Sequence, residues 1–108
     1  MLETEIQKQI LTWLKLRGFL HFRLHMRGVR TKGGRAKNHY AGLPDILGVL
    51  RGGTGRMFAV EVKTKTGQLE TNQIEWRERL EAAGVVYVLA RSVSDVETVF
   101  TAYEEFGG

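Results

Sequence analysis

Residues 42–63 read GLPDILGVL-RGGTGR-MFAVEVK, two apolar runs on either side of a glycine-rich segment. This pattern predicts a β-hairpin whose loop spans residues 51–56. The two strands carry three charged side chains, Asp45, Glu61 and Lys63, among apolar neighbours. A charge in such a strand is costly unless it is paired or bound to a metal ion. We therefore expect these three groups to form one site.

The geometry of this site depends on the register of the hairpin. Glu61 and Lys63 are two positions apart, so they share one face of their strand, while Val60 and Val62 point to the other. If Asp45 lies directly opposite Glu61, two carboxylates, an ammonium group and the carbonyl oxygen of Val62 come together. A shift by one residue would move Asp45 to the other face. The alternative interpretation is a Pro-Asp turn followed by an exposed Glu-Lys pair on an edge strand.

The Pro-Asp pair at residues 44–45 and the Glu-Val-Lys run at residues 61–63 resemble the signature of the PD-(D/E)XK nuclease superfamily. A Gly-x-Pro-Asp strand, a Glu-Val-Lys strand and a glutamine on the next helix, here Gln73, make the chain similar to the VRR-NUC branch. The resemblance runs from the first predicted helix to Ser94. One difference is that the family commonly begins the helix after the motif with Ser-Pro, where this chain has Glu-Thr at residues 70–71. That difference concerns helix capping and leaves the motif intact.

The resemblance implies a metal-dependent endonuclease that hydrolyses phosphodiester bonds in DNA. Carboxylate oxygens suit Mg²⁺ or Mn²⁺, which we expect as the cofactor. The implied metal ligands are Asp45, Glu61, the carbonyl oxygen of Val62, and Glu5 on the first helix, with Glu3 as the second choice there. The implied catalytic residues are Asp45, Glu61, Lys63 and Gln73. Stand-alone members of the family are associated with Holliday-junction cleavage, so we expect the substrate to be branched or duplex DNA.

Each implied role has a structural alternative. Glu5 could stabilise the start of its helix through the helix dipole, and Gln73 could be an ordinary exposed helical glutamine. Asp45, Glu61 and Lys63 could form an ion-pair cluster in a module that binds nucleic acid without cutting it.

The positive charges are concentrated in one half of the chain. The formal net charge is +4, but residues 8–65 contain thirteen Lys and Arg side chains and two acids, whereas residues 66–108 contain three and eight. Such asymmetry indicates a polyanionic partner. Residues 27–41 combine five cations with glycines and no acid, which predicts a mobile basic loop. The candidate DNA-contacting residues are Arg27, Arg30, Lys32, Arg35, Lys37 and Lys65.

The length predicts a single domain, residues 1–108. The chain has no apolar run near the roughly 20 residues of a membrane span, and it has no cysteine that could hold zinc. We expect a cytoplasmic protein that does not contact a membrane. Because two symmetric cuts need two active sites, we also expect a homodimer. The candidate interface residues are Phe19, Trp76, Tyr103 and Phe106.

Hydrophobic periodicity predicts the remaining elements. These are helices at residues 2–17, 71–83 and 94–106 and strands at residues 19–26 and 85–90. A strand, helix, strand unit of this length implies a parallel, right-handed crossover. The predicted fold is α/β, a mixed sheet of about four strands flanked by helices, in the restriction-endonuclease-like order α-β-β-β-α-β-α.

Overall fold

The computed structural model describes residues 1–24, 30–31, 34–35 and 40–106. Its helices are α1 (Glu3–Leu16), α2 (Thr71–Ala82) and α3 (Val93–Phe106), each within one residue of the predicted bounds. Its strands are β1 (Leu20–Arg23), β2 (Arg30–Thr31), β3 (Gly34–Arg35), β4 (Ile46–Val49), β5 (Met57–Val62) and β6 (Val86–Ala90).

Four of the strands form a mixed sheet in the order β1-β4-β5-β6. β4 is antiparallel to β1 and to β5, whereas β5 and β6 run parallel with α2 as the crossover between them. The predicted α/β class and the order α-β-β-β-α-β-α are confirmed for the main sheet and its helices. This is the restriction-endonuclease-like arrangement.

The core lies between one face of the sheet and the helices α1 and α3. Alternate residues of β5 and β6 face these helices, because side chains alternate along a strand. The buried core residues are Ile6, Ile10, Leu14, Phe19, Ile46, Leu50, Phe58, Val60, Val62, Val86, Val88, Ala90, Val96 and Phe100. In the part of the chain that the structure describes, no helix combines the length and apolar character needed to cross a bilayer.

Phe19 belongs to this core, so its prediction as an interface residue is wrong. Only 4% of Phe19 is exposed, and its ring lies 5.6 Å from that of Trp13 and 5.1 Å from that of Phe100. The cause is the end of α1. Gly18 takes a positive φ of 78°, and the Phe19 amide donates to the Leu14 carbonyl at 3.0 Å, which turns the chain back under the helix.

The other candidate interface residues are only partly available. Trp76 and Tyr103 are half-buried, with the guanidinium of Arg79 4.2 Å above the first ring and that of Arg56 4.8 Å above the second. Phe106 is 82% exposed.

β1 is an edge strand with an exposed apolar face. Leu20 and Phe22 are 66% and 47% exposed, and they lie on the face away from α1 and α3. Their partners on β4 are Val49 and Leu47, both half-buried. The sequence predicted a longer strand, of which residues 25–26 lie outside the described residues.

The predicted basic loop at residues 27–41 contains some regular structure. β2 and β3 pair antiparallel, with Arg30 opposite Arg35, as a separate two-stranded sheet. The other predicted DNA-contacting residues of this segment, which lie outside the described residues, are Arg27, Lys32 and Lys37.

Candidate active site

The ladder between β4 and β5 brings Asp45 opposite Glu61. At the start of β4 the last pair of this ladder is Ile46 with Val60, so the next pair outward is Asp45 with Glu61. This is the register that the sequence analysis assumed. Val60 points into the core, and Glu61 therefore points to the opposite face of the sheet.

The pairing pattern also places the two carboxyl groups close together. At the loop end of the hairpin, the Leu50 amide donates to the Arg56 carbonyl at 2.8 Å. Hydrogen-bonded and non-hydrogen-bonded pairs alternate along an antiparallel ladder, so Asp45 and Glu61 form a non-hydrogen-bonded pair. Side chains approach most closely in pairs of this kind, where the Cα atoms are about 4.5 Å apart.

Proline interrupts the ladder at the following pair, Pro44 with Val62. Proline has no N–H group to donate to the Val62 carbonyl. The Val62 amide, instead of joining the ladder, donates to Oδ2 of Asp45 at 2.7 Å. Since the N–H and C=O groups of one strand residue point to the same side, the Val62 carbonyl faces the Asp45 side of the strand.

Glu61 is a buried carboxyl group with 3% of the residue exposed. Burial raises the pKa of the Glu61 carboxyl to about 9, and the neighbouring charge of Asp45 adds to the shift. The ammonium group of Lys63, a residue that is 9% exposed, acts in the opposite direction and lowers this pKa. Burial beside a second acid therefore disfavours the charged form of Glu61 in the protein without a cation.

Gln73 lies in the first turn of α2 and reaches Glu61. Its Oε1 accepts from the backbone amide of Glu70 at 2.8 Å, as part of a capping box that these two residues form. Its Nε2 donates to Oε2 of Glu61 at 3.4 Å. Glu70 thus caps the helix that commonly begins with Ser-Pro in the family, and the same capping contact orients the Gln73 side chain toward Glu61.

Tyr87 belongs to this side of the sheet, although the sequence analysis did not single it out. It lies on β6 opposite Ala59, and it is 8% exposed. Burial raises the pKa of the Tyr87 hydroxyl, and the charge of Glu61 adds to this effect. The only signal in the sequence was one polar-tipped side chain in the apolar run at residues 85–90.

The acidic residue of α1 whose charge reaches the site is Glu3, not the preferred Glu5. Glu3 contributes to raising the pKa of Glu61. Glu5 lines a shallow depression of about 440 Å³ on α1 together with Lys8, Gln9 and Thr12. The two acids are two helical positions apart and so differ in direction by about 200°. The charge effect favours Glu3, the second choice of the sequence analysis, and the cation ligand on α1 stays a prediction.

The turn after β5 is held by Arg91, a second residue that the sequence analysis missed. Its Nη1 donates to the carbonyl oxygens of Thr64 at 2.5 Å, Lys65 at 3.2 Å and Gly67 at 2.7 Å. Arg91 follows β6, and the parallel pairing of β5 and β6 brings the carboxyl ends of both strands together. The side chain of Lys65, a candidate DNA contact, is exposed on this turn.

The donor set at this site is two carboxylates and one backbone carbonyl, from Asp45, Glu61 and Val62. Among the described residues there is no group of three or more His, Cys, Asp and Glu side chains that could hold a metal ion. Mg²⁺ is commonly bound through one or two carboxylates, with water and substrate phosphate as further ligands. The buried Oε1 of Glu61 has no hydrogen-bond partner within the described ranges and is free to accept a cation. The residues present therefore fit such an ion.

The family comparison agrees with this geometry. Residues 34–94 match the model of the VRR-NUC domain, a match that covers more than half of the chain. It includes both strands of the hairpin and the first turn of α2. No curated protein matches the chain significantly. The resemblance expected from the sequence is thus confirmed, and the chain belongs to the VRR-NUC family of PD-(D/E)XK-type nuclease domains.

Proposed function

We propose that this protein is a Mg²⁺- or Mn²⁺-dependent DNA endonuclease that acts on branched or duplex DNA. The observation that carries the proposal is the pairing of Asp45 with Glu61 at the end of the hairpin, with Lys63 beside them. Burying Glu61 beside the half-buried Asp45 in an apolar strand pair is unfavourable for folding, because the carboxyl groups lose hydration and their charges repel each other. A bound divalent cation would offset that cost.

Asp45, Glu61 and the carbonyl group of Val62 would hold the cation. When bound, a divalent cation polarises the scissile phosphate and lowers the pKa of a coordinated water. The hydrogen bond from the Val62 amide fixes the orientation of the Asp45 carboxylate. Glu61 is buried, whereas Asp45 is half-buried, so the carboxyl pair is reached from the Asp45 side.

Lys63 and Gln73 would act on the reacting groups. Lys63 is a buried cation next to Glu61, placed to stabilise the negative charge that develops on the phosphate. Gln73 would orient the attacking water or a phosphate oxygen, because its Nε2 lies at the carboxylate and its Oε1 is held by the helix cap.

The substrate proposal rests on charge. Lys65 is exposed on the turn that follows the carboxyl pair. The cations at residues 27–41, including Arg30 and Arg35 on β2 and β3, precede the hairpin directly. Each cation that neutralises a phosphate strengthens binding in a salt-dependent, sequence-independent manner. We therefore propose that these cations set the affinity for DNA without reading its base sequence. The preference for branched DNA is what the stand-alone members of the family imply.

The test is cleavage of supercoiled and branched DNA with Mn²⁺ or Mg²⁺ by the variants Asp45→Asn, Glu61→Gln and Lys63→Ala. Each should lose activity by at least about a hundredfold, and EDTA should abolish cleavage by the wild type. The matched control is Glu75→Gln, which removes an exposed acid of α2. DNA binding without cleavage by the wild type would identify a non-catalytic binding module instead, and full activity in Asp45→Asn would overturn the nuclease site.

A further inference from the structure

Tyr87 shares a face of the sheet with the Asp45–Glu61 pair. In the parallel ladder Tyr87 lies opposite Ala59 and Leu89 lies opposite Glu61. Ala59 and Glu61 are two residues apart on β5, so all of these side chains point to the same side.

Two buried oxygen atoms on this face lack hydrogen-bond partners within the described residues. They are the Tyr87 hydroxyl and Oε1 of Glu61. Buried polar atoms are nearly always hydrogen-bonded in folded proteins, and exceptions commonly mark functional sites. A hydroxyl donor and a carboxylate acceptor are chemically complementary.

The charged groups around Tyr87 do not form a hydrogen bond with its hydroxyl in the described structure. The charges that act on it are those of Glu61, Arg77, Asp45 and Glu81. Arg77 lies over the ring, 5.2 Å from its centroid, and pairs with Glu81 at 3.3 Å. The guanidinium therefore covers the ring while the polar tip remains unpaired.

Resting on the function proposed above, we propose that Tyr87 is a positioning residue for the metal ligand Glu61. Its hydroxyl donates a hydrogen bond to the Glu61 carboxylate in the cation-bound protein, directly or through one water. Carboxylates that bind metal ions are in general held by such outer hydrogen bonds, and their loss commonly weakens metal binding by about 10- to 100-fold. Gln73 approaches Glu61 at Oε2, which leaves the two lone pairs of Oε1 for this second donor and for the cation.

The experiment is calorimetric titration of the full chain with Mn²⁺ alone, for the wild type and for Tyr87→Phe. We expect Mn²⁺ binding to weaken by about tenfold in Tyr87→Phe. The matched control is Tyr103→Phe, which removes a hydroxyl group from a half-buried tyrosine at the 51–56 loop. That variant should bind Mn²⁺ as the wild type does.

Thermal unfolding in EDTA separates positioning from a purely structural role. Because the Tyr87 hydroxyl has no partner in the described structure, Tyr87→Phe should keep or raise the melting temperature. Unchanged Mn²⁺ affinity in Tyr87→Phe, with wild-type binding intact, would overturn the inference and leave the nuclease proposal standing. Failure of the wild-type protein to bind Mn²⁺ would overturn both.

Discussion

Glu61 sits in a position that folding alone does not favour. Its neighbours along β5 and β6 are apolar, and the carboxyl group is buried beside a second acid. The positive charge of Lys63 and the hydrogen bond from the side-chain amide of Gln73 offset part of the cost of burying this carboxyl group. A neutral residue of the same shape would avoid the desolvation and the repulsion. The residue therefore makes physical sense as a cation ligand.

We predict that Glu61→Gln stabilises the protein in EDTA, and increasingly so as the pH rises. The pKa of Glu61 is raised from 4.5 to about 9 on folding. A carboxyl group whose pKa is higher in the folded protein stabilises the fold at pH values below its unfolded-state pKa. This stabilisation is lost as the pH rises toward the folded-state pKa. The free energy of unfolding of the wild type should fall between pH 5 and pH 9 by on the order of a few kcal/mol.

Urea denaturation at pH 5.5, 7 and 8.5 checks this prediction. The curve of stability against pH should be flatter for Glu61→Gln than for the wild type, and Glu75→Gln should follow the wild type. Parallel curves for wild type and Glu61→Gln would contradict the raised pKa.

The β4–β5 hairpin was predictable because its local signals agree. Apolar runs and a glycine-rich loop predicted the hairpin, whereas its register was assumed, and the ladder has the assumed register. Gln73 was expected from the family resemblance alone, and the capping contact with Glu70 explains how its side chain comes to face Glu61. The hairpin was predictable because its two strands are close together in the sequence.

Contacts between distant elements were not predictable in the same way. Choosing Glu3 over Glu5 requires the rotation of α1 on the sheet, which packing of Ile6 and Ile10 decides. The parallel pairing of β5 with β6 brings Tyr87 to the face of Glu61 and Arg91 to the turn after β5, across more than twenty residues of chain. Sequence periodicity reports which face of an element is apolar, but not which distant residue lies against it.

The close contact between the Gly-x-Pro-Asp segment and α2 leads to a prediction about Gly42. A Cβ atom at Gly42 would lie 2.7 Å from the backbone of Asn72, and the residue has a φ of +94°. We predict that Gly42→Ala pushes the first turn of α2 away from Asp45. It should lower the free energy of unfolding by more than the ~1–2 kcal/mol expected from backbone strain alone, and it should weaken Mn²⁺ binding.

Gly84→Ala is the matched control for that variant. Gly84 has a similar φ of +90°, but a Cβ atom there meets nothing within 4 Å. Gly84→Ala should lower the free energy of unfolding only by the backbone strain, and it should leave Mn²⁺ binding unchanged. Equal stability losses in the two alanine variants, measured by urea denaturation, would show that the contact with Asn72 does not constrain the site.

At the scale of the whole molecule, two properties of the surface bear on its partners: the distribution of charge and the exposed apolar side chains. The basic half of the chain contains the hairpin with its acidic pair, which suits an approach by DNA to that side. Exposed apolar side chains remain at Leu20 and Phe22 on the edge strand and at Phe106 at the end of α3. These side chains, among the exposed apolar groups of the described residues, are candidates for contact with a second copy.

We predict that the protein is a homodimer that cuts a four-way junction in two strands, since one such domain carries one carboxyl pair and two symmetric cuts need two. Light scattering at micromolar concentration measures the assembly, and mapping of cuts on an immobile four-way junction measures the strand count. Phe22→Ser and Phe106→Ser each remove one exposed phenylalanine, and the variant that becomes monomeric identifies the interface. That variant should nick one strand while its carboxyl pair stays intact. A wild-type monomer that cuts a single strand would contradict the prediction and make the protein a nicking enzyme.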